Sequence, residues 1–287
     1  MKILSQKRCI VGEGPIWNEK EESLYYTNAY GKEICVFDCK TKGVKVRALP
    51  FDVAAFAFDV KNNLIVSHAG GVHILGEDNS LIPIYDEERY QIRFANDMKV
   101  GPDGSIYVGT QSGKRKGVSE KIDGKLYRIS ACGEVSVLLD GLILSNGMEW
   151  SMDKKKFYHT DNPTRYIKEY TFDESTGKIL FTGRQVRVDG VDGFTIGQDN
   201  RLYAACWGRG HIAVVDTEKM QVIQYLYAFC KVPTSCGFCG KNMEILAITT
   251  ASKNLDIVTD ENAGFTVLIQ SGTRGRHPFL FGVNNCK

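Results

Sequence analysis

No stretch of the 287 residues approaches the ~20 consecutive apolar residues that a membrane-spanning helix needs. The opening residues Met1-Lys2-Ile3-Leu4-Ser5-Gln6-Lys7-Arg8 contain no apolar core of a secretory signal. Nor is either sign of charge in excess, since 36 Lys and Arg face 34 Asp and Glu. Neither a nucleic acid nor a membrane surface is therefore expected as partner. The densest basic run, Lys114-Arg115-Lys116, lies between Gly113 and Gly117 and reads as a solvated loop. G-x-S-x-G, H-E-x-x-H, a Walker loop and a usable G-x-G-x-x-G are all missing, so no serine nucleophile or nucleotide cradle is indicated. No segment sustains a helical hydrophobic period, and the seven prolines and 29 glycines are spread over turn positions.

The nine cysteines are an odd number and scattered, which points to free thiols in a reducing cytoplasm rather than a disulfide framework. Cys236-Gly237-Phe238-Cys239 has no second C-x-x-C and no suitably spaced His to complete a zinc site, so its sulfurs read as structural. The five histidines are dispersed, and His159, inside a strand, reads as packed.

What is present is a repeat. Trp17, Phe58, Val100, Trp150, Ile196 and Phe238 each end an apolar run before a polar turn, and they follow one another at 41 to 50 residues. A β-rich strand follows each turn, from Leu24-Tyr25-Tyr26-Thr27 in the first unit to Ile245-Leu246-Ala247-Ile248 in the last. Further strands are expected at 32–38, 125–129, 167–171 and 211–215, and outer ones at 44–46, 135–137 and 222–227. Six such units fill the chain. This period, with several short strands per unit, is that of an all-β, six-bladed β-propeller, here a single domain over 1–287. Trp17, Trp150 and Trp207 recur with the repeat and read as blade packing.

In a propeller the loops entering the first strand of each blade gather at one mouth. Glu13 stands there in Gly12-Glu13-Gly14-Pro15, Asn96-Asp97 before Met98, Asn146 in Ser145-Asn146-Gly147, and Asp192 in Val191-Asp192-Gly193. Each is an ordinary turn residue by itself. Their return at the same phase of separate blades makes a site. Two carboxylates and an amide oxygen suit a hard divalent ion such as Ca²⁺, Mg²⁺ or Mn²⁺, with Zn²⁺ also open. Three ligands leave positions for water and substrate, as a catalytic centre requires.

The segments Gly12-Glu13-Gly14-Pro15-Ile16-Trp17, Asn96-Asp97-Met98-Lys99-Val100, Ser145-Asn146-Gly147-Met148-Glu149-Trp150-Ser151, Asp192-Gly193-Phe194 and Pro233–Asn242 resemble the SMP-30/gluconolactonase/regucalcin-like family, in order over nearly the whole chain. The resemblance implies a six-bladed propeller that binds one divalent metal and hydrolyses sugar-acid lactones. Glu13, Asn146 and Asp192 match its metal ligands, and Asp192 also its acid/base. Asn96 matches a residue at the substrate edge of the metal, and Glu120 a substrate carboxylate in a lid region before Gly124-Lys125-Leu126-Tyr127. The family's substrate Arg stands two residues before the matching Asn, where this chain has Phe94, with Arg93 one place earlier. Val191 stands where Pro is common, and Met98 where Gly is common. These departures bear on which lactone is bound. The expected chemistry is attack of water on a metal-polarised lactone carbonyl, Asp192 taking the proton. A cytoplasmic monomer or small homo-oligomer is expected. A non-catalytic metal- or ligand-binding propeller, or a hydrolase of another ester, would fit the same fold.

Overall fold

A computed structural model describes residues 1–255 and 257–282. The chain forms six four-stranded antiparallel sheets, the six blades of a β-propeller. They fall into two compact units, Met1–Val53 with Gln185–Pro278, and Ala54–Arg184 with the segment from Phe279 onward.

The first unit holds three blades. Blade 1 is Gly12–Asn18, Ser23–Asn28, Glu33–Asp38 and Val44–Ala48; blade 5 is Val191–Ile196, Arg201–Cys206, His211–Asp216 and Gln221–Tyr227. Blade 6 takes Pro233–Cys239, Ile245–Thr250 and Val267–Gln270, and its outer strand comes from the other end of the chain, Lys2–Ile3, with Lys2 opposite Leu268 and Ile3 opposite Val267. In the second unit blade 2 is Ala55–Phe58, Leu64–His68, Gly71–Leu75 and Leu81–Pro83, and blade 3 is Ala95–Val100, Ile106–Thr110, Gly124–Ile129 and Val135–Leu142. Blade 4 is Ser145–Trp150, Lys156–Asp161, Tyr166–Asp173 and Lys178–Arg187, the unit boundary falling within its last strand.

The polar turn seen in the sequence is the same turn in every blade. Its closing N–H, from Glu22, Asn62, Gly104, Lys154, Asn200 or Met243, donates to the carbonyl three residues back, at 2.8 to 3.3 Å. All six of these residues are left-handed, with φ between 49° and 71°. Asn and Gly reach that region with little strain, which explains two Asn and a Gly among them. Asp59, Asp103, Asp153 and Asp199 each accept the N–H two residues on, at 2.9 to 3.3 Å, and lock four of the turns.

Second strands such as Ser23–Asn28 and Ile106–Thr110 are buried at every residue, because both faces meet neighbouring blades. Trp17, Tyr203 and Phe238 belong to the core of the first unit. Tyr107, Trp150, Phe157 and Phe172 pack together in the second, with the Tyr107 and Trp150 rings edge to face at 4.8 Å. Trp17 and Trp150, 4% and 0% exposed, are therefore blade-packing residues as expected. His159, 1% exposed, is packed too.

Two expectations are corrected. Lys114-Arg115-Lys116 is not a loop but part of a one-turn helix, Gly113–Lys116, capped by the Ser112 hydroxyl, which accepts the Arg115 N–H at 3.2 Å; its basic side chains are exposed as anticipated. Not all the cysteines are free: Cys132 is disulfide-bonded. Cys132 sits exposed at the turn before Val135–Leu142, where another segment can approach it, whereas six of the other seven described cysteines, all free, are buried. Cys236 and Cys239 are among the buried ones, and three residues apart on one strand they point to opposite faces. Cys286 lies outside the described residues.

Candidate functional site

Every expected ligand stands at a β-bulge. In the first strand of five blades the pairing slips by one residue: between Glu13 and Ile16, Ala95 and Met98, Asn146 and Met148, Val191 and Phe194, and Pro233 and Ser235. An extra residue removes a backbone pair from the ladder and turns the local side chain out of the pleat, which is why bulges sit beside active sites. Ala55–Phe58 of blade 2 runs in register throughout, and Phe51-Asp52-Val53-Ala54 before it is the less polar segment at this phase.

In the first unit Glu13 is half-buried and Asp192 is 5% exposed. The strand between theirs, Pro233–Cys239, packs against both. The approach is close enough that a Cβ on Gly193 would lie 2.3 Å from the Ser235 hydroxyl oxygen. The Thr234 hydroxyl donates to the Gly12 carbonyl at 2.5 Å, fixing the backbone just before Glu13. Beside Asp192 the Cys206 thiol is pushed up to about 12, by burial first and with the Asp192 charge adding to it.

In the second unit Asn96 is held at its side-chain nitrogen, its side-chain oxygen and its backbone carbonyl. Its Nδ2 donates to the Ser145 carbonyl at 3.2 Å and its Oδ1 accepts from Gln111 Nε2 at 3.2 Å. Its backbone carbonyl accepts the Ser67 hydroxyl at 2.7 Å. Ser145 Oγ is 2.7 Å from His159 Nε2, and burial, with Lys168 nearby, lowers that imidazole to about 3, so the ring is neutral. Asn146 accepts the Gly147 N–H at 3.0 Å within its own bulge. Asp97, next to Asn96, is raised above the usual carboxylate range by burial, against the pull of Lys99.

Glu120 and Arg93, the other expected substrate residues, are both at the surface. Glu120 is exposed, in the segment between Gly113–Lys116 and Gly124–Ile129. Arg93 is exposed and its guanidinium donates to Gln91 Oε1 at 2.8 Å. Phe94 is left-handed at φ 56°, an unusual state for a bulky residue, and its N–H and C=O are taken by Ala69 (2.8 Å) and Gln111 (3.0 Å). Its ring lies 5.8 Å from the Lys116 ammonium. Trp207 departs from the expectation of blade packing: it is 41% exposed, because it falls in the tight turn after Arg201–Cys206 rather than inside a strand.

Sequence reasoning brought out Asn96, Asn146, Glu13 and Asp192 but missed Gln111 and the Ser145–His159 pair. The signal for Gln111 is its place one residue past Ile106–Thr110, the strand paired with the one that carries Asn96. Among the described residues no three His, Cys, Asp or Glu side chains cluster as a metal set.

A six-bladed propeller whose first strands bulge at acidic and amide residues defines a class. The model of the SMP-30/Gluconolactonase/LRE-like region matches residues 11–252, and the chain belongs to that family. A protein named sugar lactone lactonase YvrE, from Bacillus subtilis (strain 168), is 29% identical over 284 residues, 96% of each chain. Regucalcin of Gallus gallus is 27% identical over 293 residues, 98% of each. Among solved structures, a calcium-binding regucalcin from Agrobacterium tumefaciens str. C58 superimposes with a TM-score of 0.85 at 23% identity, covering 97% of this chain and 96% of that one. A gluconolactonase from Xanthomonas campestris does so with a TM-score of 0.75 at 18% identity, over 93% and 88%. These two structural likenesses establish the fold.

Proposed function

We propose that the chain hydrolyses sugar lactones with one divalent ion, Ca²⁺, Zn²⁺, Mn²⁺ or Mg²⁺, held by Glu13, Asn146 and Asp192. The observation that carries this reading is the bulge repeated at those three residues in a chain of this family. The donor set fits such an ion. It is all oxygen and it brings two negative charges, as a hard divalent ion prefers. When bound, the ion supplies Lewis-acid polarisation of the lactone carbonyl and eases ionisation of water.

The protein's own groups do the rest. Asp192 takes a proton from the attacking water and returns it to the ring oxygen as the C–O bond breaks. Asn96 spends one N–H on Ser145 and one lone pair on Gln111, which leaves one of each for a sugar hydroxyl. Glu120, and Arg93 if it swings from Gln91, contact further hydroxyls. The seven free thiols among the described cysteines support a cytoplasmic setting, and the Cys132 disulfide counts against it. No helix of the described residues is long and apolar enough to cross a membrane.

A pH-drop assay over a panel of aldonolactones, with EDTA and with each ion restored, tests the reading. Turnover should vanish with EDTA and return with one ion. Asp192→Asn should lower kcat by about 10²–10⁴-fold with the circular dichroism unchanged. Full turnover in that variant would sink the mechanism, and no hydrolysis of any lactone with any ion would favour a non-catalytic propeller.

A further inference from the structure

We infer that Trp207 is a substrate-contact residue, an indole platform for the C–H face of a lactone ring bound beside Asp192; this rests on the lactonase reading above. The tryptophans divide sharply. Trp17 and Trp150 are 4% and 0% exposed inside the blades, and Trp207 is 41% exposed. The side chain carries the largest apolar face a protein has, and leaving it in water forgoes burial that the other two obtain.

Its position is fixed relative to the candidate carboxylate. The Trp207 N–H donates to the Gly190 carbonyl at 2.7 Å, extending the pairing of Val191 with Cys206, so Trp207 stands at the end of blade 5 where the Asp192 strand begins. Gly190 is left-handed at φ 77°, and a Cβ there would lie 2.5 Å from the Trp207 carbonyl oxygen, so the two backbones touch. The turn that presents the indole is pinned on both sides. Arg209 N–H donates to the Cys206 carbonyl at 3.0 Å, and Gly210 N–H to the Lys231 carbonyl at 3.1 Å. A rigid side chain with two torsions on a fixed turn loses little entropy when it takes up a ligand.

The other exposed aromatics of this unit stand elsewhere. Tyr225 and Tyr227 are on the outer strand of blade 5, and Tyr30 lies under the Lys253 ammonium at 3.7 Å. A cyclic ester offers an oxygen-bearing edge to Asp192 and a C–H face to an indole, so a ring is bound better than an open-chain ester of the same acid.

Intrinsic fluorescence tests this apart from turnover. Acrylamide should quench an accessible component in the wild-type chain that is missing in Trp207→Phe. Saturating 1,5-anhydro-D-glucitol, a ring that cannot be hydrolysed, or D-glucono-1,5-lactone should lower that quenching by about twofold or more. In kinetics Trp207→Ala should raise KM for D-glucono-1,5-lactone by about tenfold with kcat little changed, and Trp207→Phe should recover part of it. An indole equally quenched with and without both sugars overturns the proposal, as does an unchanged KM in Trp207→Ala. Should the wild-type chain hydrolyse no lactone, the lactonase reading fails and the quenching alone decides Trp207: protection by the ring supports the platform, and its absence ends it.

Discussion

Asn96 shows how a side chain is set for work by residues that need touch no substrate. With Gln111 on its oxygen and the Ser145 carbonyl on its nitrogen, the amide has one orientation, and the neutral His159 holds Ser145 in turn. Gln111→Leu removes one neutral hydrogen bond of about 0.5–1.5 kcal/mol and frees the amide to flip. KM for the lactone should then rise about 3–10-fold, read by steady-state kinetics on a variant whose melting is unchanged. An unaltered KM would detach Gln111 from the sugar. Gly237 is a purely steric case: a Cβ there would lie 2.2 Å from the Pro15 carbonyl oxygen, backbone that has little room to yield. Gly237→Ala should therefore destabilise by about 1–3 kcal/mol, seen as a lower urea midpoint.

At the scale of strands and turns the repeat was plain, because the six hairpin turns are one turn reused and the strand after each is buried on both faces. Glu13-Gly14, Asn146-Gly147 and Asp192-Gly193 also carried a hint of the bulges in their glycines. The slip itself was hidden, since an extra residue in a seven-residue strand leaves no period to break. Several pieces escaped: the third and fourth strands of blade 2, the outer strand Lys178–Arg187 of blade 4, Val267–Gln270 of blade 6, the two-residue Lys2–Ile3, and the thiol of Cys132, whose partnership depends on tertiary approach. Blade 2, the one without a bulge, has a polar chain of another kind. The Gly70 N–H donates to His68 Nδ1 at 3.2 Å, so neutral His68 carries its proton on Nε2 and donates to His73 Nδ1 at 2.9 Å; His73 Nε2 lies 2.7 Å from Glu87. Tyr85 packs near the same turn. Burial, then the close approach of His73, lowers His68 from its ordinary 6.5 to about 4. The unfolded chain thus takes up a proton below pH 6.5 that the folded chain refuses until about 4. Stability is whole above that window and falls by up to about 3 kcal/mol across it as the pH drops. Urea midpoints at pH 7 and 4.5 should differ less in His68→Gln than in the parent, and an equal loss in both would assign the acid sensitivity elsewhere.

At the scale of the molecule, the N-terminal segment and the segment at Phe281 each act as a clasp, and the two lie in different units. In the first unit Lys2–Ile3 completes blade 6, Leu4 is buried in the core with its N–H donating to the Thr266 carbonyl at 2.9 Å, and Arg8 binds the Ala263 carbonyl and stacks on Phe265. In the second, the buried Phe281 donates its N–H to the Phe58 carbonyl at 2.9 Å and accepts from Val60 N at 3.1 Å. The chain enters the second unit at Ala54 and leaves it after Arg184, so neither unit is a continuous segment. We propose that residues 1–287 melt as a single domain, and the clasps make this testable. Leu4→Ala removes about 2–5 kcal/mol from one unit and Phe281→Ala about 3–5 kcal/mol from the other. If the six blades unfold together, calorimetry shows one transition that both substitutions lower by several degrees, with calorimetric and van't Hoff enthalpies equal. Two independent units would instead give two transitions, Leu4→Ala moving one and Phe281→Ala the other.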